Sequence, residues 1–423
     1  MSTVPSRQSP ARSAWTMLVL ATVGFAVNFW AWALLSPLGP RFQDLLKLSG
    51  SEQALLVAVP VVVGSLGRIP VGALTDRFGG RVMFPLVSVA TIIPVLFLGL
   101  AGQTSLAALL IGGFFLGVAG TSFAIGVPFV TAWFPPERRG LAIGVFGAGM
   151  GGTAISALTT VRLVTSRGSA APFLVTAAAL ALYAGIAWLL LRDAPGRVVP
   201  TEPLGVRLAA TARLPITWQA SILYAVAFGG YVAFSVYLPA YLRTAYGLEP
   251  SDAANRMAGF VLVAVLMRPV GGWLSDRVGP VAVLAGAFAV VALGAAVQSL
   301  TPGLMPVGTI TFLSMAAALG AGSGATFALV ARAAPGAKVG SVTGLVGAAG
   351  GLGGFVPPLV MGFVHGRTGS FGLGLALLAV VATGTLVLTL TVVRRGAGTA
   401  AHPGVDRGTA AQPAPAPMTT GVA

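Results

Sequence analysis

The chain has 423 residues, of which 56% are hydrophobic and only 8% charged. Soluble domains carry about 25% charged residues, so the composition excludes a soluble enzyme or nucleic-acid-binding domain and requires an integral membrane protein. The net charge of +15 is then a matter of short loops rather than a nucleic-acid surface, and the absence of cysteine with only two histidines, His365 and His402, excludes thiol chemistry, disulfides and histidine-based metal or haem sites.

In chain order, residues 1–14 read as a polar tail. Apolar windows long enough to cross a hydrocarbon core of ~30 Å then recur near 15–37, 52–74, 82–101, 105–133, 140–161 and 171–191. Residues 192–216 are polar, carry Pro195, Pro200 and Pro203, and read as a linker. Six more windows follow near 217–241, 255–275, 280–300, 305–331, 339–364 and 370–393. Residues 394–423, rich in Ala, Pro, Gly and Thr, read as a disordered tail. Backbone groups in lipid must be satisfied within a segment, and alternating ten-residue strands are absent, so the windows are predicted to be helices. The first is too long for a cleavable signal. The expected fold is an all-α membrane protein with twelve transmembrane helices in two six-helix halves.

Loop charge sets the orientation. With both termini on one side, that side holds 16 of the 25 Lys and Arg residues and the other side 7. This predicts cytoplasmic termini in the cytoplasmic membrane. The two residues left over are Arg68 and Arg268, which lie within apolar windows.

Each of these arginines opens the same pattern. The first copy runs Arg68-Ile-Pro-Val-Gly72, then Asp76-Arg77-Phe-Gly79-Gly-Arg81; the second runs Arg268-Pro-Val-Gly-Gly272, then Asp276-Arg277-Val-Gly279. The offset is 200 residues, and Pro135, Gly140, Gly144 and Gly147 match Pro335, Gly340, Gly344 and Gly347 at the same offset. Two repeated halves are a transporter plan, with the site near midplane between them. The loop residues Asp76, Arg77, Arg81, Asp276 and Arg277 are expected to gate: an acid at a helix end can hold an arginine or a helix N-terminus in one state and release it in another.

A guanidinium stays protonated in a protein, and holding one mid-membrane costs roughly 2.5–3.5 kcal/mol on insertion scales. All ten acids fall in loops, tails or helix ends, so Arg68 and Arg268 lack a fixed counter-ion. A planar fork of donors suits a planar oxyanion, and a small transported anion is the simplest partner. The fifth and eleventh windows are glycine runs that include Gly147, Gly149, Gly347 and Gly350. Glycine faces let helices approach closely and leave room beside a small substrate.

The loop from Gly72 to Arg81 and its second copy resemble the signature loops of the major facilitator superfamily. One arginine in each of helices two and eight, with the stretches Trp133-Phe-Pro-Pro-Glu-Arg-Arg-Gly140 and Gly340-Ser-Val-Thr-Gly344-Leu-Val-Gly347, resembles the nitrate/nitrite porter family within it. The resemblance implies that Arg68 and Arg268 bind nitrate or nitrite between the halves, that Tyr224 helps to ligate the anion, and that Phe228 and Phe123 flank it. Gly149 and Ser323 stand where family members often carry asparagines. Phe29, Trp30 and Trp32 read as packing or interfacial residues and are left out of the site.

The absence of a membrane-embedded carboxylate or histidine removes the usual proton carriers. The expected function is therefore nitrate/nitrite antiport by alternating access. Proton-coupled nitrate symport, or a facilitator for another small or organic anion, is the alternative. No catalytic constellation, cofactor or nucleic-acid partner is expected. The partners are the anions and the lipid bilayer, and one chain forms a complete carrier as a monomer.

Overall fold

The computed structural model describes residues 10–135, 138–195, 202–334 and 339–394. The expected C-terminal tail beyond Arg394, residues 1–9, the repeat position Pro335 and Glu137 of the family-like stretch lie outside these residues, as do residues 196–201 of the linker.

Among the described residues, twelve helices are long and apolar enough to cross a membrane: α1 (Ser13–Leu46), α2 (Gly50–Phe78), α3 (Gly80–Leu100), α4 (Leu106–Trp133), α5 (Ala142–Arg167), α6 (Ala171–Leu190), α7 (Pro215–Tyr246), α8 (Pro250–Val278), α9 (Pro280–Ser299), α10 (Leu304–Ala333), α11 (Ser341–Thr368) and α12 (Gly372–Val393). Their count and order agree with the sequence reading. Several run longer than the apolar windows. The window of α1 ends at residue 37, but the helix continues through Arg41 and Asp44, and α7 continues through Arg243. Charges end an apolar window; they do not end a hydrogen-bonded helix that has reached the headgroup region.

Local chemistry sets the turns between helices. Ser49 and Glu52 form a reciprocal capping box at the start of α2, with Ser49 N–H donating to Glu52 Oε2 at 2.8 Å. Gly79 and Gly279, the last matched positions of the repeated signature, have φ of +83° and +88°. Only glycine adopts that region without strain, so the invariant spacing of the motif has a backbone cause.

Small residues fix the closest approaches. A Cβ on Gly64 would lie 3.3 Å from the Cα of Gly120, which brings α2 onto α4. At the offset of 200, Gly320 presses on the backbone of Ala264, which brings α8 onto α10. The same device is therefore used in both halves. Within the second half, a Cβ on Gly229 would lie 2.6 Å from the carbonyl carbon of Gly353, so α7 and α11 nearly touch.

The two ends of the bundle differ. The signature face carries the α2–α3 and α8–α9 loops. At the other face, α1 and α5 of the first half are tied to α7 and α8 of the second. Ser36 Oγ is within hydrogen-bond distance of the carbonyls of Ser235 and Val236, at 2.9 and 2.8 Å. Arg243 pairs with Asp44, and Arg162 donates to Asn255 at 3.1 Å.

Candidate functional site: two buried arginines in an aromatic box

Helices α2 and α8 deliver Arg68 and Arg268 to the plane between the halves. Their side chains are 6% and 3% exposed, so neither reaches water along its own helix. Each reaches into the opposite half instead. Arg68 donates through Nη1 to the carbonyl of Gly347 on α11 and through Nε to the carbonyl of Gly120, at 3.3 Å. Arg268 donates through Nη1 to the thioether of Met150 on α5, at 2.9 Å, and through Nη2 to the Tyr224 hydroxyl, at 2.7 Å.

Helices α4, α7 and α10 supply four aromatic rings around these cations. The Arg68 guanidinium carbon lies 5.2 Å from the Phe123 ring centre and 5.6 Å from that of Phe228. That of Arg268 lies 5.6–5.9 Å from Phe123, Tyr224, Phe228 and Phe327. Tyr224 and Phe228, one turn apart on α7, stack at 4.9 Å and 2°. Ring faces carry partial negative charge, and cation–π contacts of this kind contribute about 0.5–2 kcal/mol each, more when desolvated. They hold both cations without neutralising them. Among the described residues, neither arginine pairs with a carboxylate.

The glycines of α5 and α11 divide into two groups. A Cβ on Gly147 would lie 3.2 Å from Arg268 Nε, and one on Gly347 would lie 3.2 Å from the Phe123 ring. A Cβ on Gly350 would enter the Tyr224 ring. These three border the cluster. Gly149 does not: its missing Cβ would lie 2.6 Å from Phe25 and 2.8 Å from the Thr22 carbonyl. Its small size serves the contact of α5 with α1. Ser323 donates to the carbonyl of Leu319, one turn back on its own helix, at 2.8 Å.

Sequence reasoning missed Phe327 and Met150. Both are ordinary apolar residues in apolar helices, and nothing local marks them. It also set aside Phe29 and Trp32, which border the narrow space beside Arg68 together with Gly64 and Gly351. Trp30 is not among the residues bordering that space.

At the signature face, Asp76 pairs with Arg207 at 2.8 Å. Arg207 lies on a short helix, Leu204–Ala212, inside the region read only as a linker. Asp276 faces Arg332 more loosely, at 3.5 Å, with both side chains about half or more exposed. Arg77 stacks on Phe78 and Arg277 on Trp273, at 5.4 and 4.2 Å. The backbone N–H of Arg81 donates to Asp193 at 3.2 Å.

Twelve helices in two halves, with a buried site between them and repeated signature loops at one face, define a transporter of the major facilitator type. The profile of the Major Facilitator Superfamily matches residues 21–358, and again 220–418. A bacterial homolog of the human lysosomal transporter Spinster, solved in an inward-facing and occupied conformation, superposes with a TM-score of 0.67, covering 93% of this chain and 97% of its own at 21% identity. Sequence relatives narrow the class. The "Probable nitrate/nitrite transporter NarK2" of Mycobacterium tuberculosis is 51% identical over 378 residues, which is 89% of this chain and 95% of that protein. The "Nitrite extrusion protein" of Bacillus subtilis is 36% identical, covering 88% and 93%. The chain belongs to the nitrate/nitrite porter family of the Major Facilitator Superfamily.

Proposed function

We propose that this chain carries nitrate and nitrite across the cytoplasmic membrane by alternating access, as an exchanger of one for the other, with Arg68 and Arg268 as the ligands of the anion. The names of its relatives support the substrate pair. The observation that carries the assignment to these residues is the shared aromatic box: two guanidiniums from repeat-related helices of opposite halves, buried together and, among the described residues, paired with no carboxylate.

The hydrogen bonds that now hold each arginine go to neutral partners, two carbonyls in one case and a thioether and a phenol in the other. Bonds from a guanidinium to an anion are roughly twice as strong as neutral ones. An oxyanion between the two forks therefore replaces weaker bonds with stronger ones and offsets the repulsion between the cations. Tyr224 lends its hydroxyl to the same group. Because each arginine already reaches the opposite half, the anion joins the halves at their centre while the face beyond it opens. An empty carrier lacks that compensation and rocks slowly, which couples outward to inward movement. Loop charge supports placing both termini in the cytoplasm, and transport rather than enzymatic chemistry is the work of the site.

The test is nitrate uptake by purified protein in liposomes, comparing nitrite-loaded with empty vesicles, each with and without an inward proton gradient. Uptake is expected only with internal nitrite. Proton-driven uptake into empty vesicles would establish symport and overturn exchange.

A further inference from the structure

A second cavity lies away from the translocation path, within the second half and at its signature face. Its volume is about 600 Å³, and it is bordered by Val281, Leu329, Ala333 and Leu390 together with Arg332 and Arg394. Four helices end here at one level: α8 at Val278, α9 at Pro280, α10 at Ala333 and α12 at Val393. Ends of apolar helices long enough to cross a ~30 Å hydrocarbon core fall near its boundary with water. Apolar walls and two cations therefore meet at the depth where phosphate headgroups lie.

The internal repeat shows what this place looks like when protein fills it. At the offset of 200, the first half has Phe129 for Leu329, Trp133 for Ala333 and Asp193 for Val393. There the missing Cβ of Gly80 would enter the Phe129 ring, and that of Gly79 would enter the Asp193 carboxylate. Trp133 Nε1 donates to the Arg192 carbonyl at 3.2 Å, and Asp193 accepts from the Arg81 N–H. The first half thus supplies its own bulk and its own anion. In the second half the bulk is trimmed to leucine, alanine and valine, and Gly279 has nothing within 4 Å. Among the described residues, no acid borders the cavity. Arginines stand at 332 and 394, where the first half has Ala132 and Ala194. Arg332 uses one nitrogen on the Ser275 carbonyl at 3.0 Å, with Asp276 Oδ1 at 3.5 Å. Arg394 makes no ion pair among the described residues.

We infer that this cavity binds one anionic phospholipid, its phosphate between Arg332 and Arg394 and its first acyl carbons against Leu329, Ala333 and Leu390. Basic pockets between helix ends at a membrane face suit such headgroups, and 600 Å³ is within the range of small-ligand sites. Because Arg332 also faces Asp276, the lipid phosphate and the second signature loop compete for one guanidinium.

The protein in detergent is titrated with dioleoyl phosphatidylglycerol, dioleoyl phosphatidylcholine or inorganic phosphate, and adducts are counted by native mass spectrometry. One phosphatidylglycerol is expected to bind ahead of phosphatidylcholine. Arg394→Gln weakens it by roughly fivefold, and Ala333→Trp, which installs the bulk of the first half, removes it. Melting temperature in phosphatidylcholine serves as the fold control, and Arg394→Gln alone decides the matter should Ala333→Trp not fold. Equal binding of the two lipids, or unchanged phosphatidylglycerol binding in the folded variants, overturns the inference. Displacement of the lipid by an equal concentration of inorganic phosphate also overturns it, since the site would then serve a free anion. None of these readouts depends on which anion the central site carries.

Discussion

At the scale of the residue, the proposed anion site depends on the shape of the guanidinium as well as its charge. A lysine at 68 or 268 keeps the positive charge but presents a single compact ammonium, which makes neither the forked contact nor the same face-on contact with Phe123 and Phe228. Losing one charge-assisted hydrogen bond costs about 1.5–3 kcal/mol, which corresponds to roughly a tenfold to hundredfold fall in transport. Arg68→Lys and Arg268→Lys are each expected to lose that much of the initial nitrate uptake rate in proteoliposomes, with the protein still folded by circular dichroism. Wild-type rates in both variants would remove the arginines from the anion site. The two charges were legible in the sequence because a membrane makes an arginine conspicuous. Tyr224 and Phe228 required a family resemblance, since an aromatic on an apolar helix is ordinarily packing. Phe327 and Met150 required coordinates: whether they face the cluster depends on how α10 and α5 are rotated in the bundle, and a helix that is apolar all round does not announce its rotation.

At the scale of the element, the signature loops act through what they touch, and one partner was hidden by composition. Residues 192–216 read as a linker because they are polar and interrupted by prolines. Their second part folds as the helix Leu204–Ala212, tied to α7 by Thr217 Oγ1 and Trp218 Nε1, which donate to the carbonyls of Thr211 and Ala212 at 2.8 and 2.7 Å. Arg207 on this helix pairs with Asp76 at the end of α2, with both side chains about one-quarter exposed. The connector between the halves is thereby tied to the signature loop of the first half. An exposed pair contributes only about 0.2–1 kcal/mol, which is too little to matter for folding but enough to bias a balanced rocking equilibrium severalfold. Arg207→Asp is expected to raise labelling of a cysteine placed at the signature face and to lower exchange severalfold. The double variant Asp76→Arg/Arg207→Asp is expected to recover much of both. Failure of the double variant to recover either would leave the pair without a gating role. Glycine placement shows the same limit on reading elements from sequence: Gly147 and Gly149 look alike in one run, yet one borders Arg268 and the other packs on Phe25.

At the scale of the whole molecule, the present conformation ties the halves at both levels. The arginines bridge them at the centre, and Ser36, Asp44 and Arg162 of the first half bridge them at the face opposite the signature loops. Alternating access requires the latter set to part while the centre holds the anion. The fold and the pseudo-symmetry behind this requirement were readable from the offset of 200, but the ties were not: they join residues about 93–200 positions apart, and most are serine hydroxyls or surface charges with no pattern of their own. The chain has no native cysteine, so the requirement can be tested directly. Asp44→Cys and Arg243→Cys, introduced together, place two thiols across the closed face where the ion pair now stands. Bridging them with a short, disulfide-containing bifunctional reagent is expected to abolish nitrate/nitrite exchange, and reduction is expected to restore it. Binding of nitrate to the bridged protein persists, because the centre does not have to part from itself to hold an anion. The same reagent on either single variant leaves exchange intact, which separates locking from modification. Continued exchange by the fully bridged protein would mean that this face does not open during transport, and a rocking motion of two rigid halves would then be the wrong description of this carrier.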